Sequence, residues 1–253
     1  RDWFDANWDP SMSVADWWRL LAESGWGYPH WPVGRFGKGF NHQEHMDVER
    51  ARTSVGAFGV PNDVGVTLVA PTLMEHGSDL LLNRYLESIA TGQEMWCQLF
   101  SEPDAGSDLA GLTTLAERDG ERWIINGSKV WTTGGHASRR AVLMARTDPQ
   151  AGRHAGISFF IIDMQQPGVS VSPLRDMTGD EEFNQVFLTN AEVDHQDVIG
   201  ELGDGWRVAM TMLQHERDAD AVGHDGGGDV INQVDLNAAV GQVQQDQEKG
   251  GAT

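Results

Sequence analysis

The spacing of hydrophobic residues changes near residue 95, and this change constrains the fold more than any other feature of the chain. Before it, apolar residues recur at the three- and four-residue intervals of helices. After it, β-branched and aromatic runs predict strands over residues 95–101, 122–126, 128–133, 140–146, 156–163, 168–174 and 183–188. Helical spacing returns at Gly205 and lasts to about Ala221. The pattern predicts a multi-domain α and β protein whose middle part is an antiparallel barrel or sandwich.

Local signals place several element boundaries. Ser13 and Asp16 resemble a capping box, and Gly25 is a stop, so they predict a helix between them. Residues 62–76 have helical spacing, and Ser78 predicts the start of a further helix that runs towards Gly92. The pair Asn126-Gly127 predicts a type I′ hairpin turn between two strands. Residues 223–253, rich in Gly, Gln, Asn and Asp, are expected to form a mobile tail.

Charge and composition exclude several classes of function. The chain has 18 Lys and Arg against 38 Asp and Glu, a net charge of −20 spread along its length. Such a surface repels phosphate backbones and anionic lipids, so we expect neither nucleic-acid nor membrane-surface binding. The single cysteine, Cys97, excludes an intrachain disulfide, and no run is long enough for a membrane span. We expect a cytoplasmic protein whose encoded start precedes Arg1.

Several catalytic motifs are missing from the sequence. No G-x-G-x-x-G follows a predicted strand, and neither a P-loop nor a G-x-S-x-G nucleophile elbow occurs. The run His42-Gln43-Glu44-His45 matches no established zinc spacing. We interpret it as a solvated loop or a helix start, and predict no metal site.

Two segments carry the chemistry. In Leu99–Gly111, a strand leads into Pro-Asp-x-Gly and a second turn of small residues, where free amides can bind anionic or carbonyl oxygens. A bare structural turn is the alternative interpretation. In Gly127–Gly135, Trp131 and Thr133 are spaced to point to one side of a strand. An indole beside a hydroxyl suits the apolar ring and the N5 atom of a flavin, whereas core packing is the alternative for Trp131 alone.

Together, the intact Ser-Glu-x-x-x-Gly-Ser-Asp beginning at Ser101 and the later Asn-Gly-x-Lys-x-Trp-x-Thr beginning at Asn126 resemble the acyl-CoA dehydrogenase family. The likeness extends from about residue 20 to residue 217 and includes the Pro/Gly-rich loop from Trp31 to Gly37. It implies an α-helical N-terminal domain (1–94), an antiparallel β-barrel middle domain (95–205) and a truncated α-helical C-terminal domain. That last domain is represented by one helix (206–222), followed by the tail (223–253).

The resemblance also implies the cofactor and the residues around it. FAD is the expected cofactor, with Phe100 and Ser101 at its pyrimidine edge and with Trp131 and Thr133 beside its ring. Ser107 is expected near both flavin and thioester. The implied reaction oxidises an acyl-CoA to the trans-2-enoyl-CoA, as in fatty-acid β-oxidation, with an electron-transfer flavoprotein or similar acceptor as partner. An acyl-CoA oxidase has nearly the same chemistry, and the sequence does not separate the two.

The reaction needs a base that removes the α-proton of the thioester. One location known in the family is the first helix of the C-terminal domain, which places Glu216 as the base and Arg217 as a residue that positions substrate. Glu216 shares a helical face with Ala209 and Leu213, and a poorly hydrated carboxylate there is a stronger base. An exposed Glu-Arg pair without catalytic function is the alternative.

After Val222 the sequence departs from the family, because Gly/Asp/Gln-rich sequence replaces the remaining helices. Three explanations stay open: an incomplete piece of an enzyme, one subunit of a homo- or hetero-oligomer whose partner supplies those helices, or a decayed gene product. The function is therefore either acyl-CoA dehydrogenation or that of a non-catalytic partner subunit.

Overall fold

The computed structural model describes residues 1–175 and 183–223, with side chains as far as residue 217. Most of the predicted tail therefore lies outside the described residues. The helices are α1 (Asp2–Asn7), α2 (Val14–Ser24), α3 (His42–Thr53), α4 (Ala70–His76), α5 (Asp79–Ala90) and α6 (Gly205–Gly223), and a π-helical turn (Gly65–Val69) precedes α4. The strands are β1 (Trp96–Leu99), β2 (Leu115–Asp119), β3 (Arg122–Thr133), β4 (Arg140–Arg146), β5 (Ile157–Asp163), β6 (Val169–Leu174), β7 (Phe183–Asp194) and β8 (Val198–Ile199).

The chain divides into two compact units. The first contains Arg1–Asn62 and Tyr85–Gln93, and the second contains Asp63–Arg84 and the described residues from Glu94 onward. The first unit is helical and is built around a cluster of buried side chains: Phe4, Trp17, Trp18, Leu21, Val48 and Ala57. The indole N–H groups of Trp17 and Trp18 donate to the carbonyls of Phe58 and Gly59 at 2.9 and 3.0 Å, so these large side chains bury no unsatisfied donor.

The helix boundaries in the N-terminal part follow the predicted signals. The Ser13 side chain accepts a hydrogen bond from the Asp16 amide, and Gly25 ends α2 with a left-handed φ of 72°. Residues 65–76 are helical, as predicted, and the Leu81 amide donates to the Ser78 hydroxyl at the start of α5. The run from His42 to His45 forms the first turn of α3, where Asn41 and Glu44 make a capping box.

The second unit contains one eight-stranded sheet in the order β6-β7-β3-β2-β4-β5-β8, with β1 paired to β4. β1 and β2 run parallel to β4, and the other pairs are antiparallel. The prediction of a purely antiparallel sheet is therefore wrong. Each parallel pair is joined by a connection long enough to return the chain, which parallel pairing requires. Among the described strands the sheet is open from β6 to β8, and closure into a barrel is not seen.

The predicted hairpin at Asn126-Gly127 is wrong. β3 passes through both residues, and only its register with β7 shifts there. The Asn126 side chain accepts a hydrogen bond of 2.9 Å from the Asn190 amide. A Cβ on Gly127 would lie 2.4 Å from Thr114 Oγ1, so this position needs glycine because another backbone comes close. The hairpin turn instead lies at Gly120, whose φ is 60°, between β2 and β3.

One face of the sheet carries the main core of this unit. Its buried side chains come from all the longer strands: Cys97, Leu99, Ala116, Trp123, Ile125, Ala141, Leu143, Ala145, Phe160, Ile162, Met164, Val186, Leu188, Ala191 and Val193. Helix α6 contacts β5, and its Val208, Ala209 and Met212 are fully buried. A Cβ on Gly205 would lie 2.5 Å from the Ser158 carbonyl carbon, so the first turn of α6 lies directly on β5.

No helix among the described residues has the length and apolar character that crossing a bilayer requires.

Candidate active site

The structure brings the two sequence motifs together at the end of β1. The Val130 amide donates a hydrogen bond of 2.9 Å to the Ser101 carbonyl, and the Lys129 ammonium donates one of 3.0 Å to the Phe100 carbonyl. These bonds join the segment after β1 to the middle of β3. Four of the predicted cofactor residues, Phe100, Ser101, Trp131 and Thr133, therefore lie within a few residues of one junction.

A buried ion pair holds this junction together. Lys129 Nζ lies 2.9 Å from Glu102 Oε1, and the two side chains are 0% and 5% exposed. The other Glu102 contacts come from the turn before β2: Oε2 accepts from the Thr113 amide and hydroxyl at 2.7 and 2.8 Å, and Oε1 accepts from the Thr114 amide at 2.9 Å. One carboxylate thus connects the first motif, the turn before β2 and β3.

The electrostatics of this pair favour its charged form at neutral pH. Burial by itself would raise the pKa of Glu102, but the Lys129 charge and the hydrogen bonds from Thr113 and Thr114 lower it to about 2. Burial lowers the pKa of Lys129 to about 8, with Glu102 opposing that shift. Sequence reasoning missed this role. Both residues stand in the quoted motifs, and a Lys and a Glu that flank predicted site residues were the available signal.

Trp131 lies at an irregularity in β3. Its φ is 63°, a rare left-handed value for a non-glycine residue, and three residues of β3 there face two of β7. The indole is 60% exposed, and its ring meets the Phe183 ring edge-on at 5.9 Å. Thr132 is buried and Thr133 is half-buried. The regular alternation assumed from the sequence is thus interrupted at Trp131, although Trp131 and Thr133 are both more exposed than the residue between them.

The remaining residues of the first motif have different environments. The Phe100 ring is buried and meets the Phe159 ring edge-on at 5.6 Å, so its carbonyl faces Lys129 while its ring packs in the core. Ser101 is half-buried and Ser107 is exposed. Between them, Glu102 and Ala105 exchange two backbone hydrogen bonds, of 3.0 and 3.1 Å, which close a tight turn. A Cβ added to Gly106 would meet no atom within 4 Å, so space is open beside this turn.

The predicted base lies on α6. Along the predicted face, Ala209 is fully buried, whereas Leu213 and Glu216 are half-buried. Arg217 is exposed and donates to the Gln214 side chain at 2.9 Å. The contacts that join the two motifs to each other do not include α6, which is held instead by β5 and α4.

A metal site is not indicated in the part of the chain that the structure describes, since no three His, Cys, Asp or Glu side chains there are grouped to hold an ion.

The comparisons with known proteins agree with this fold and site. Residues 97–191 match the family model for the acyl-CoA dehydrogenase middle domain. The chain therefore belongs to the acyl-CoA dehydrogenase family, whose members are FAD-dependent oxidoreductases.

Three relatives illustrate the similarity. The acyl-CoA dehydrogenase FadE34 of Mycobacterium tuberculosis is 45% identical over 205 residues, which is 80% of this chain and 28% of that protein. The mitochondrial isovaleryl-CoA dehydrogenase of Oryza sativa is 31% identical over 92% of this chain and 56% of its own length. A solved structure described as a Tcur3481-Tcur3483 steroid ACAD has a TM-score of 0.68 and 30% identity, covering 89% of this chain and 65% of its own. The chain thus spans about half, or less, of the length of the curated relatives it matches.

Proposed function

We propose that this chain supplies the cofactor and thioester side of an FAD-dependent acyl-CoA dehydrogenase that converts an acyl-CoA to the trans-2-enoyl-CoA. One observation carries the proposal: the buried Lys129–Glu102 pair joins the two family motifs and leaves the Trp131 indole exposed beside them. In this proposal, residues 1–94, 95–205 and 206–222 correspond to the N-terminal, middle and C-terminal domains of the family.

The residues present fit a flat aromatic cofactor. A 60% exposed indole at a backbone irregularity offers a face for an aromatic ring. The half-buried Thr133 hydroxyl is placed to donate a hydrogen bond beside it, and the open space at Gly106 lies next to Ser107. Thr132 Oγ1 is buried and has no hydrogen-bond partner among the described residues. In the proposed site Trp131 and Thr133 hold the ring, Phe100 and Ser101 hold its polar edge through backbone groups, and Ser107 contacts the thioester.

When bound, FAD supplies the acceptor for the hydride that leaves the β-carbon of the acyl group. The protein must supply the complementary step, removal of the α-proton. We assign this step to the Glu216 carboxylate, whose position at the margin of the buried face of α6 limits its hydration. Arg217, one residue further along, is assigned to positioning the substrate.

A spectroscopic experiment tests the assignment. We expect the purified chain, supplied with FAD, to develop the visible absorbance of a bound flavin, and an acyl-CoA added without oxygen to bleach it. The Glu216→Gln variant should keep the visible band and lose the bleaching, whereas Glu201→Gln, at an exposed position before α6, should keep both. Loss of the visible band and of the bleaching together in Glu216→Gln would count against its role as base.

The substrate class can be tested in the same assay. Two solved relatives are described as steroid ACADs, and we therefore propose a comparison of steroid-derived and straight-chain acyl-CoA thioesters. An electron-transfer flavoprotein or similar acceptor would reoxidise the cofactor, and reoxidation by oxygen alone would instead indicate an oxidase.

A non-catalytic subunit of a heteromer is the second candidate function. It is favoured by a solved relative described as the ChsE4-ChsE5 complex, which is 29% identical with a TM-score of 0.65. A colourless chain that copurifies with a full-length homologue, and gains colour only with it, would support this candidate over the first.

A further inference from the structure

A chain of polar contacts joins the end of α4 to α6 through His76. The His76 side chain is 3% exposed. Its Nδ1 atom lies 3.1 Å from Arg207 Nη1, and its Nε2 atom lies 2.8 Å from Thr211 Oγ1. Arg207 and Thr211 are four residues apart on α6, so they lie on the same face of that helix, one turn from each other.

The chemistry of the partners fixes the protonation of the imidazole. Arginine N–H groups only donate, so His76 Nδ1 must accept and carry no proton. The remaining proton is then on Nε2 and is donated to Thr211. The Thr211 hydroxyl in turn lies 3.5 Å from Glu75 Oε1, and Arg207 is held on its other side by Asp204 at 2.8 Å. The neutral Nε2–H tautomer therefore satisfies every member of this set of contacts.

We infer that His76 is a positioning residue: as a neutral imidazole it fixes α6, the helix that carries Glu216, against α4, and protonation releases that helix. A proton on Nδ1 would point at the Arg207 guanidinium, which removes one hydrogen bond and opposes two positive charges. The consequence for catalysis rests on the proposed function, because it requires Glu216 to act from α6.

The charged surroundings of His76 determine the sign of the effect. Burial lowers the pKa of His76, Arg207 and His215 lower it further, and Glu75 and Asp204 oppose them. Below the ordinary imidazole pKa of 6.5 an unfolded or detached segment takes up a proton that the docked His76 refuses. Docking of α6 is therefore strongest above that value and weakens as the pH falls below it.

Hydrogen–deuterium exchange of the α6 amides, corrected for intrinsic rates, tests this without any turnover. In the wild-type chain we expect roughly ten-fold faster exchange over residues 208–217 at pH 5 than at pH 7.5, the size of one lost hydrogen bond. In His76→Gln, which keeps a donor towards Thr211 and does not titrate, this pH dependence should vanish. His154→Gln is the matched control, because His154 also contacts α6, by stacking on Trp206 at 4.2 Å, and it should leave the pH dependence intact.

Imidazole NMR on the wild-type chain provides a readout that needs no variant to fold. The Nε2–H tautomer at neutral pH, with titration below the ordinary range, supports the inference. A proton on Nδ1, or α6 exchange that does not respond to pH, overturns it. If exchange responds to pH but acyl-CoA never bleaches the flavin, the inference stands and the proposed function fails. If bleaching persists while α6 exchange ignores pH, the proposed function stands and the inference fails.

Discussion

Lys129 and Glu102 form an ion pair of 2.9 Å in which both side chains are almost completely shielded from water. The pair is not an ordinary surface contact, because each partner also binds backbone groups of a different segment. Removing one charge leaves the other buried without compensation, which is far costlier than breaking an exposed pair. The ion pair thus makes the geometry of the site and the stability of this unit depend on one interaction.

Replacement of Lys129 by Met should therefore destabilise the protein strongly. We expect a loss of about 3–5 kcal/mol in the free energy of unfolding, measured by urea denaturation. The control is Arg122→Met, which removes an exposed ion pair with Glu192 between neighbouring strands and should cost less than about 1 kcal/mol. In the double variant Glu102→Gln with Lys129→Met the two costs should not add, since each removes the same interaction. Equal effects of Lys129→Met and Arg122→Met would contradict this expectation.

Acid should weaken the fold through the same carboxylate. The pKa of Glu102 is about 2 in the folded protein and 4.5 ordinarily, so the unfolded chain binds a proton first as the pH falls. The stability that Glu102 contributes is complete above about pH 4.5 and disappears between there and pH 2. Urea midpoints measured from pH 6 to pH 3 should fall less steeply in Glu102→Gln than in the wild type. Glu117→Gln, at an exposed position of β2, should keep the wild-type slope.

Substitution of Gly127 tests the close approach within the sheet. An alanine Cβ would lie 2.4 Å from Thr114 Oγ1 and 2.8 Å from Thr114 Cα, so backbone must move to accommodate it. We expect Gly127→Ala to cost about 1–3 kcal/mol in thermal or urea unfolding. Gly152→Ala, where an added Cβ meets no atom within 4 Å, should be neutral or slightly stabilising. A neutral Gly127→Ala would show that Thr114 can yield freely.

Replacement of Trp131 separates cofactor binding from stability. Because the indole is 60% exposed, Trp131→Ala should change the free energy of unfolding by less than about 0.5 kcal/mol. The same change should weaken FAD binding by roughly five-fold, which corresponds to about 1 kcal/mol of lost aromatic contact and is measurable by calorimetry. Phe187→Ala, another exposed aromatic substitution in the sheet, should leave FAD affinity unchanged. Equal weakening by both variants would remove Trp131 from the proposed site.

The elements that the sequence predicted well are those with local causes. Ser13 and Gly25 bound α2 because a side-chain cap and a left-handed glycine act within one helical turn. The purpose of Gly127 was not predictable in this way, since Thr114, the residue that requires it, lies on a neighbouring segment. β2 was missed because its sequence, Leu-Ala-Glu-Arg-Asp, lacks alternating apolar residues, and its pairing partners lie further along the chain.

The candidate site shows the same division. The two motifs identified the correct segments, because the residue types needed at such a site are visible in the sequence itself. Their junction through Lys129 and Glu102 was not visible, since it depends on the register that places β3 beside the end of β1. The left-handed backbone at Trp131 was likewise unpredictable, because tryptophan has no intrinsic preference for it.

The exposure of Trp131 gives the protein an internal optical reporter. Trp17, Trp18 and Trp123 are at most 5% exposed, so their emission comes from dry surroundings, whereas the emission of Trp131 comes from an indole largely in water. An aqueous quencher such as iodide reaches that indole far more readily than the three buried ones. The quenchable fraction of tryptophan emission therefore follows occupancy of the surface around Trp131, while the buried indoles report on the integrity of the chain.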